Sequence, residues 1–235
     1  MLEVYSKAKK RLGVAKIKVV LLRDYGINIS AGRVYRLMKG MQLPKMSTVK
    51  PRFLCPLPDV QSDFSNYLNQ KFNPPTPNQV WVSDITYIKI SNRFVYLCAI
   101  MDLFSRKIIA YQVSLKMDAS FVLQTLRDAL KSRKIEHPLL FHSDRGSQYT
   151  CSMFRKFCDE QNITQSFSKK GHPWDNAVME SFFKYAKHEE LDRHSFLTIS
   201  DVKLALFRYI DGFYNSQRPH SSINMLTPNQ KELDF

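Results

Sequence analysis

Apolar positions recur along this chain with two different periods, and the change from one to the other falls near Gln79. Before it, Ile17, Val20 and Leu21 stand at i, i+3 and i+4 and end at Gly26, a residue suited to the left-handed position after a helix. Ser30 then offers an N-cap to a second helix with Val34, Leu37 and Met38 inward and Gly40 as its stop. Residues 15 to 40 are therefore predicted as a helix-turn-helix, with Met1 to Gly13 as a weakly periodic first helix. After Gln79, strands are predicted at Trp81 to Lys89, at Phe94 to Met101 after the polar turn Ser91-Asn92-Arg93, and at Ile108 to Val113. A helix capped by Asp118 or Ser120 carries Val122, Leu126 and Leu130, and Leu139 to Ser143 reads as a buried strand. A helix with Phe154, Phe157 and Cys158 follows, then a fifth strand at Ile163 to Phe167. A loop with Gly171 leads to a helix through Glu180, and Ile199 to Tyr214 forms a last long one.

Three hairpin-connected strands followed by alternating helix and strand is the order of a ribonuclease H-like α/β fold, a mixed five-stranded sheet with flanking helices. Strands 1 and 4 are neighbours in such a sheet. Three segments result: a basic helix-turn-helix module at 1–43, a linker or arm at 44–76, and a catalytic core with a C-terminal helix at 77–235. Seven of the eleven prolines lie between Pro44 and Pro77, which excludes a long regular element there. Within the arm, Phe64, Tyr67, Leu68 and Phe72 are expected to form a short helix that docks on the core.

Charge adds a partner to this picture. The net charge is +14, and residues 1–52 hold 13 Lys/Arg against Glu3 and Asp24, while the remainder carries 22 basic and 19 acidic residues. A basic module that delivers a nearly neutral domain to a polyanion points to nucleic acid. Arg33, Arg36 and Lys39 lie on the outer side of the second helix and are the candidate DNA contacts, with that helix as major-groove reader. The longest purely apolar stretch, Phe94 to Met101, has eight residues, far short of the roughly 20 that a spanning helix needs. No membrane association is expected, and the protein is expected in the cytoplasm or nucleoid. Cys55, Cys98, Cys151 and Cys158 show no CxxC pairing and read as reduced packing residues.

Three carboxylates carry the candidate chemistry. Asp84 stands inside the apolar run Trp81-Val82-Ser83-Asp84-Ile85, Asp144 ends the strand in Phe141-His142-Ser143-Asp144-Arg145-Gly146, and Glu180 follows Asp144 after 35 intervening residues. A carboxylate in a strand interior is costly to bury unless it is paired or holds a metal. A strand-end aspartate is also an ordinary turn former, and a helical glutamate an ordinary surface residue. Asp102 is a fourth carboxylate, read as a turn or structural residue. His142 shares a strand face with Asp144 and stands beside the site either as a group that touches the metal ligands or a substrate phosphate, or as a packing residue. Asn176 begins the Glu180 helix and is a further candidate to touch the metal ligands or DNA.

The spacing and the surrounding words resemble the D-D-35-E signature of transposases and retroviral integrases, and most closely the OrfB transposases of bacterial insertion sequences. The likeness runs from Val14 to Pro228. It includes Pro77-Asn78-Gln79-Val80-Trp81, Ser105-Arg106, His142-Ser143-Asp144-Arg145-Gly146-Ser147-Gln148-Tyr149, Asp175-Asn176-Ala177, Glu180-Ser181-Phe182, Tyr214-Asn215-Ser216-Gln217-Arg218-Pro219-His220 and Thr227-Pro228. The resemblance implies a polynucleotidyl transferase that binds the terminal inverted repeats of an element, frees a 3′-hydroxyl and joins it to target DNA. It implies two Mg²⁺ or Mn²⁺ ions, Asp84 bridging them with Asp144 on one and Glu180 on the other. Lys184 and Lys187, four and seven residues after Glu180, share its helix face and resemble the integrase lysines that grip DNA. It further implies a homo-oligomer on DNA and an upstream-frame OrfA partner or fusion; no heptad repeat for such assembly is present in this chain. Two rival readings are a catalytically silent DNA-binding regulator and a structure-selective nuclease on the same fold.

Overall fold

The computed structural model describes residues 1–43, 64–91, 93–169 and 171–235. Most of the proline-rich linker, Cys55 and Asn92 of the predicted turn lie outside the described residues.

Helices α1 (Leu2–Lys7), α2 (Val14–Tyr25) and α3 (Ala31–Gly40) form the amino-terminal module. Gly26 takes φ +67° after α2, and the Ser30 hydroxyl accepts from Arg33 N–H at 3.3 Å as the N-cap of α3. Val34 and Met38 are buried, but Leu37 is 36% exposed, because α3 packs through one narrow stripe and Leu37 lies about 100° round the helix from each of its neighbours. Gly40 belongs to the last turn of α3 and does not stop it. The module is fused to the core by packing: Val4, Ile17, Leu21 and Val34 join one hydrophobic cluster with Tyr209 and Phe213. Arg11 seals this junction. It is buried, donates to the Glu189 carbonyl at 2.9 Å and to the Glu190 carboxylate, and lies over the rings of Tyr209 and Phe213.

The sheet consists of β1 (Val80–Ile90), β2 (Arg93–Asp102), β3 (Ile108–Ser114), β4 (Leu139–Ser143) and β5 (Ile163–Phe167), in the order β3-β2-β1-β4-β5. The first three pair antiparallel, and β4 and β5 add in parallel beside β1. This is the predicted mixed sheet, with strands 1 and 4 adjacent. Alternation along β1 sends Val82, Ile88 and Ile90 to one face and Trp81 and Ile85 to the other, so each face founds its own core. Helices α4 (Ala119–Ser132), α5 (Ser147–Thr150) and α6 (Ser152–Glu160) cover the Trp81 face. Helices α7 (Ala177–Glu189) and α8 (Ile199–Tyr209) cover the other, and α9 (Pro228–Leu233) ends the fold. Asp118 caps α4, accepting from Phe121 N–H at 2.9 Å. The last long helix ends at Tyr209, where a π turn over Ile210–Tyr214 replaces the α-helical continuation.

The expected short helix at Phe64 to Phe72 does not form. Asn69 and Gln70 take φ of 43° and 59°, which an α-helix does not admit, and the segment docks as a series of bends. Phe167 N–H donates to the Ser65 carbonyl at 2.9 Å, Leu68 N–H to Ser166 Oγ at 3.0 Å, and Phe64 packs on the Phe167 ring. Arg106, buried and at φ 63°, holds the arm's far end through the Phe72 carbonyl and Asn73 Oδ1. Among the described cysteines, Cys98 and Cys158 are buried and Cys151 half-buried, all with free thiols, as packing residues are expected to be.

Candidate active site

The parallel ladder between β1 and β4 pairs Val82 with His142, so Asp84, inside β1, and Asp144, just past the end of β4, each two residues further on, end up side by side. Glu180 comes from the first turn of α7, which packs against β1. That helix is positioned by Asn176, whose Nδ2 donates to the Ser83 carbonyl at 3.1 Å. Asp84 is half-buried and its Oδ1 accepts from Ile85 N–H at 2.8 Å, while Asp144 and Glu180 reach solvent. Asp144 Oδ1 accepts from Gly146 N–H at 3.0 Å.

Burial first, and then the Asp144 charge, push the Asp84 carboxyl up to about 7, with Glu180 adding to the rise. Partial desolvation also raises Asp144 and Glu180. Among the described residues none of the three has an ion-pair partner. Neighbouring carboxylates that raise Asp84, with Lys187 only a partial offset, present the hard oxygens that divalent ions such as Mg²⁺ prefer. Among the described residues no three or more His, Cys, Asp or Glu side chains are grouped closely enough to hold a metal ion as they stand.

Lys184 and Lys187 are half-buried on the same helix. Lys187 Nζ lies 4.7 Å from the centre of the Tyr87 ring, and burial lowers its pKa against the pull of Asp192 and Asp84. Arg33, Arg36 and Lys39 are exposed on α3, away from the carboxylates in sequence and free to meet solvent.

His142 is a packing residue in its contacts. Its Nδ1 pairs with Ser166 Oγ at 2.9 Å and its Nε2 with Ser168 Oγ at 3.1 Å, and burial lowers it to about 4, leaving a neutral ring at physiological pH. Asp102 is structural: its buried carboxylate accepts from Asn78 and Phe104 N–H at 2.8 and 2.9 Å. Asp175 clasps the arm, accepting from Asn66, Gln70 and Lys169 N–H, each at 2.9 Å.

Two supporting features were not legible as function. The Ser83 hydroxyl meets Tyr149 Oη at 2.8 Å beneath Asp84, forming a buried polar floor. A Cβ at Gly146 would stand 3.0 Å from Asp144 Oδ1 and from Gln148 Oε1, so glycine leaves room for the carboxylate; the word Asp144-Arg145-Gly146 was the available signal.

Comparison with known proteins agrees with this geometry. Residues 74–173 and 161–228 match integrase core domain families, and residues 1–52 match an HTH-like domain. The transposase for insertion sequence element IS904 of Lactococcus lactis is 34% identical over 230 residues, covering 97% of this chain and 90% of the relative. The putative transposase InsK for IS150 of Escherichia coli is 35% identical over 227 residues, covering 96% and 79%. Among solved structures, the HTLV-2 integrase catalytic core domain superposes with a TM-score of 0.53 at 18% identity, over 67% of this chain and 98% of that one, a likeness of fold. A simian T-cell lymphotropic virus intasome chain gives 0.54 at 16% identity, over 98% and 73%. No helix among the described residues is long and apolar enough to cross a membrane. The chain belongs to the insertion-sequence transposases with an integrase catalytic core, DNA-binding polynucleotidyl transferases of ribonuclease H-like fold.

Proposed function

We propose that Asp84, Asp144 and Glu180 are the catalytic triad of this transposase and hold two divalent cations, Mg²⁺ or Mn²⁺. Asp84, which feels the charges of both Asp144 and Glu180, would share its carboxylate oxygens with the ion site that those two complete. The ions, when bound, supply charge stabilisation to the attacking and leaving oxygens of an in-line phosphodiester displacement. The chain's part is to hold three oxygen ligands, one inside β1, one just past β4 and one on α7, and to keep that helix in register through Asn176 and Ser83. Arg33, Arg36 and Lys39 read the element's terminal inverted repeats, and Lys184 and Lys187 hold the backbone beside the reacting phosphate. Cleavage frees a 3′-hydroxyl, which attacks a phosphodiester of the target DNA. The working form is a homo-oligomer on DNA, with an upstream-frame OrfA product as partner or fusion. The segments 1–43, 44–76 and 77–235 serve as recognition module, arm and catalytic core.

One observation carries this reading: the strand pairing sets Asp84 beside Asp144, and burial together with the Asp144 charge raises Asp84, an effect that Lys187 offsets only in part. Asp84→Asn, Asp144→Asn and Glu180→Gln are each expected to abolish cleavage and joining of end-containing oligonucleotides in Mg²⁺, with DNA binding retained. The same variants should lose the rise in thermal midpoint that Mg²⁺ gives the wild type. Wild-type turnover by any one of them overturns the triad, and cleavage without joining by the wild type would mark a nuclease.

A further inference from the structure

A cavity of about 310 Å³ opens where α2, α7 and the segment after α8 meet. Lys16 enters it from the recognition module, Ser181 and Tyr185 from α7, and Arg218, Ser221 and Ser222 from the C-terminal segment. None of its lining residues is acidic. Its cations differ in how they are committed. Arg218 is locked to Glu189 by bonds of 2.7 and 2.8 Å, and Arg106 donates to carbonyl, amide and hydroxyl oxygens. Lys16 is half-buried, and its ammonium contacts only the Tyr185 ring, 5.2 Å from its centre. Among the described residues it has no hydrogen-bond or ion-pair partner, and the hydroxyls of Ser181, Tyr185 and Ser221 are likewise unengaged.

A cavity rich in free donors and without a carboxylate among its described lining residues is complementary to a tetrahedral oxyanion, whose oxygens accept from all sides. Burial and the nearby Arg218 charge lower Lys16 to about 7, the cost that an incoming anion would offset. We propose that this cavity binds one phosphate of the DNA backbone, with Lys16, Tyr185, Ser181 and Ser221 as its donors. The inference rests on the family's action on DNA and is independent of the three carboxylates. Because Lys16 comes from the recognition module and the other donors from the core, a phosphate seated here bridges the two and adds a DNA-dependent contact to the packing that already joins α2 to the helix carrying Glu180.

The test is run in EDTA, so the outcome does not depend on catalysis. Binding of an end-containing duplex is followed by fluorescence anisotropy across a salt titration for the wild type, Lys16→Met and Tyr185→Phe. Lys16→Met is expected to weaken binding about fivefold or more and to lower the salt slope by about one. Tyr185→Phe, which changes no charge, should weaken it about twofold to threefold. Unliganded Lys16→Met should melt at or above the wild-type temperature, since it loses an uncompensated charge, which separates lost binding from lost folding. Equal affinity and slope in Lys16→Met overturn the proposal. So does loss in Lys16→Met with none in Tyr185→Phe, which would make Lys16 a general surface charge. A thermal-midpoint rise with inorganic phosphate that Lys16→Met abolishes, alongside undiminished DNA affinity, would assign the cavity to a free anion and overturn the DNA assignment.

Discussion

The side-chain amide of Asn176 donates to the Ser83 carbonyl at 3.1 Å, tying the residue that opens α7 to the residue before Asp84. One bond thus couples the helix that carries Glu180 to the strand that carries Asp84. Asn176 Oδ1 is buried and has no hydrogen-bond partner, so the amide stays for its donor. Asn176→Ala should leave the Ser83 carbonyl unsatisfied, at a cost of about 1 to 3 kcal/mol, and let Glu180 drift. Single-turnover cleavage is expected to slow at least about tenfold, about 1.4 kcal/mol, with a higher Mg²⁺ requirement and unchanged DNA affinity. An unchanged rate and Mg²⁺ requirement would remove Asn176 from any positioning role.

Sequence recognition is testable at Arg33 and Arg36, which are exposed on α3 and take no part in the module's packing. Their replacement by Ala should cost roughly 1 to 3 kcal/mol of end preference for each lost base contact, with the fold intact. Deleting residues 1–52 would not be a clean experiment. It removes Arg11 from Glu190 and uncovers the cluster around Tyr209 and Phe213, so the truncated chain is expected to aggregate or melt early. Undiminished preference for end over random DNA in the folded variant would place recognition elsewhere.

Lys184 and Lys187 follow Glu180 on one helix face, and Lys187 is held over Tyr87. Lys184→Ala combined with Lys187→Ala should slow cleavage at least about tenfold, with a nearly unchanged thermal midpoint. If the lysines act only as helical partners, worth about 0.2 to 0.5 kcal/mol each, kinetics stay at wild type in the folded double variant.

His142 makes stability depend on pH in a definite direction. Burial lowers its folded-state value to about 4, below the unfolded value near 6.5, so the unfolded chain binds the proton first. Its contribution is complete above about pH 6.5 and is lost as pH falls toward 4, by roughly 1 to 3 kcal/mol. Urea unfolding followed from pH 7 to pH 4.5 should show this decline, and His142→Gln should flatten it whatever its absolute stability. An equal slope in the variant would show that other groups set the acid limit.

The five strands, the two helices of the helix-turn-helix and the three candidate carboxylates are legible along the chain because each rests on local periodicity, capping residues or spacing. Asp118, Ser30 and Gly26 act as local chemistry dictates. Which side of β1 receives β4 is a matter of pairing, and only the fold sets Asp84 beside Asp144. The arm shows where local reasoning fails: Phe64, Leu68 and Phe72 have helical spacing, yet bonds to Ser166, Asp175 and Arg106, from 34 to 109 residues away, hold it in bends. His142 shares a strand face with Asp144, but which serines meet its ring was invisible until β5 was placed. The same holds for the module itself. Its amphipathic helices follow from the sequence, whereas their fusion to the core through Arg11, and the donor-lined cavity that Lys16 completes, arise because burial brings together residues with no local relation.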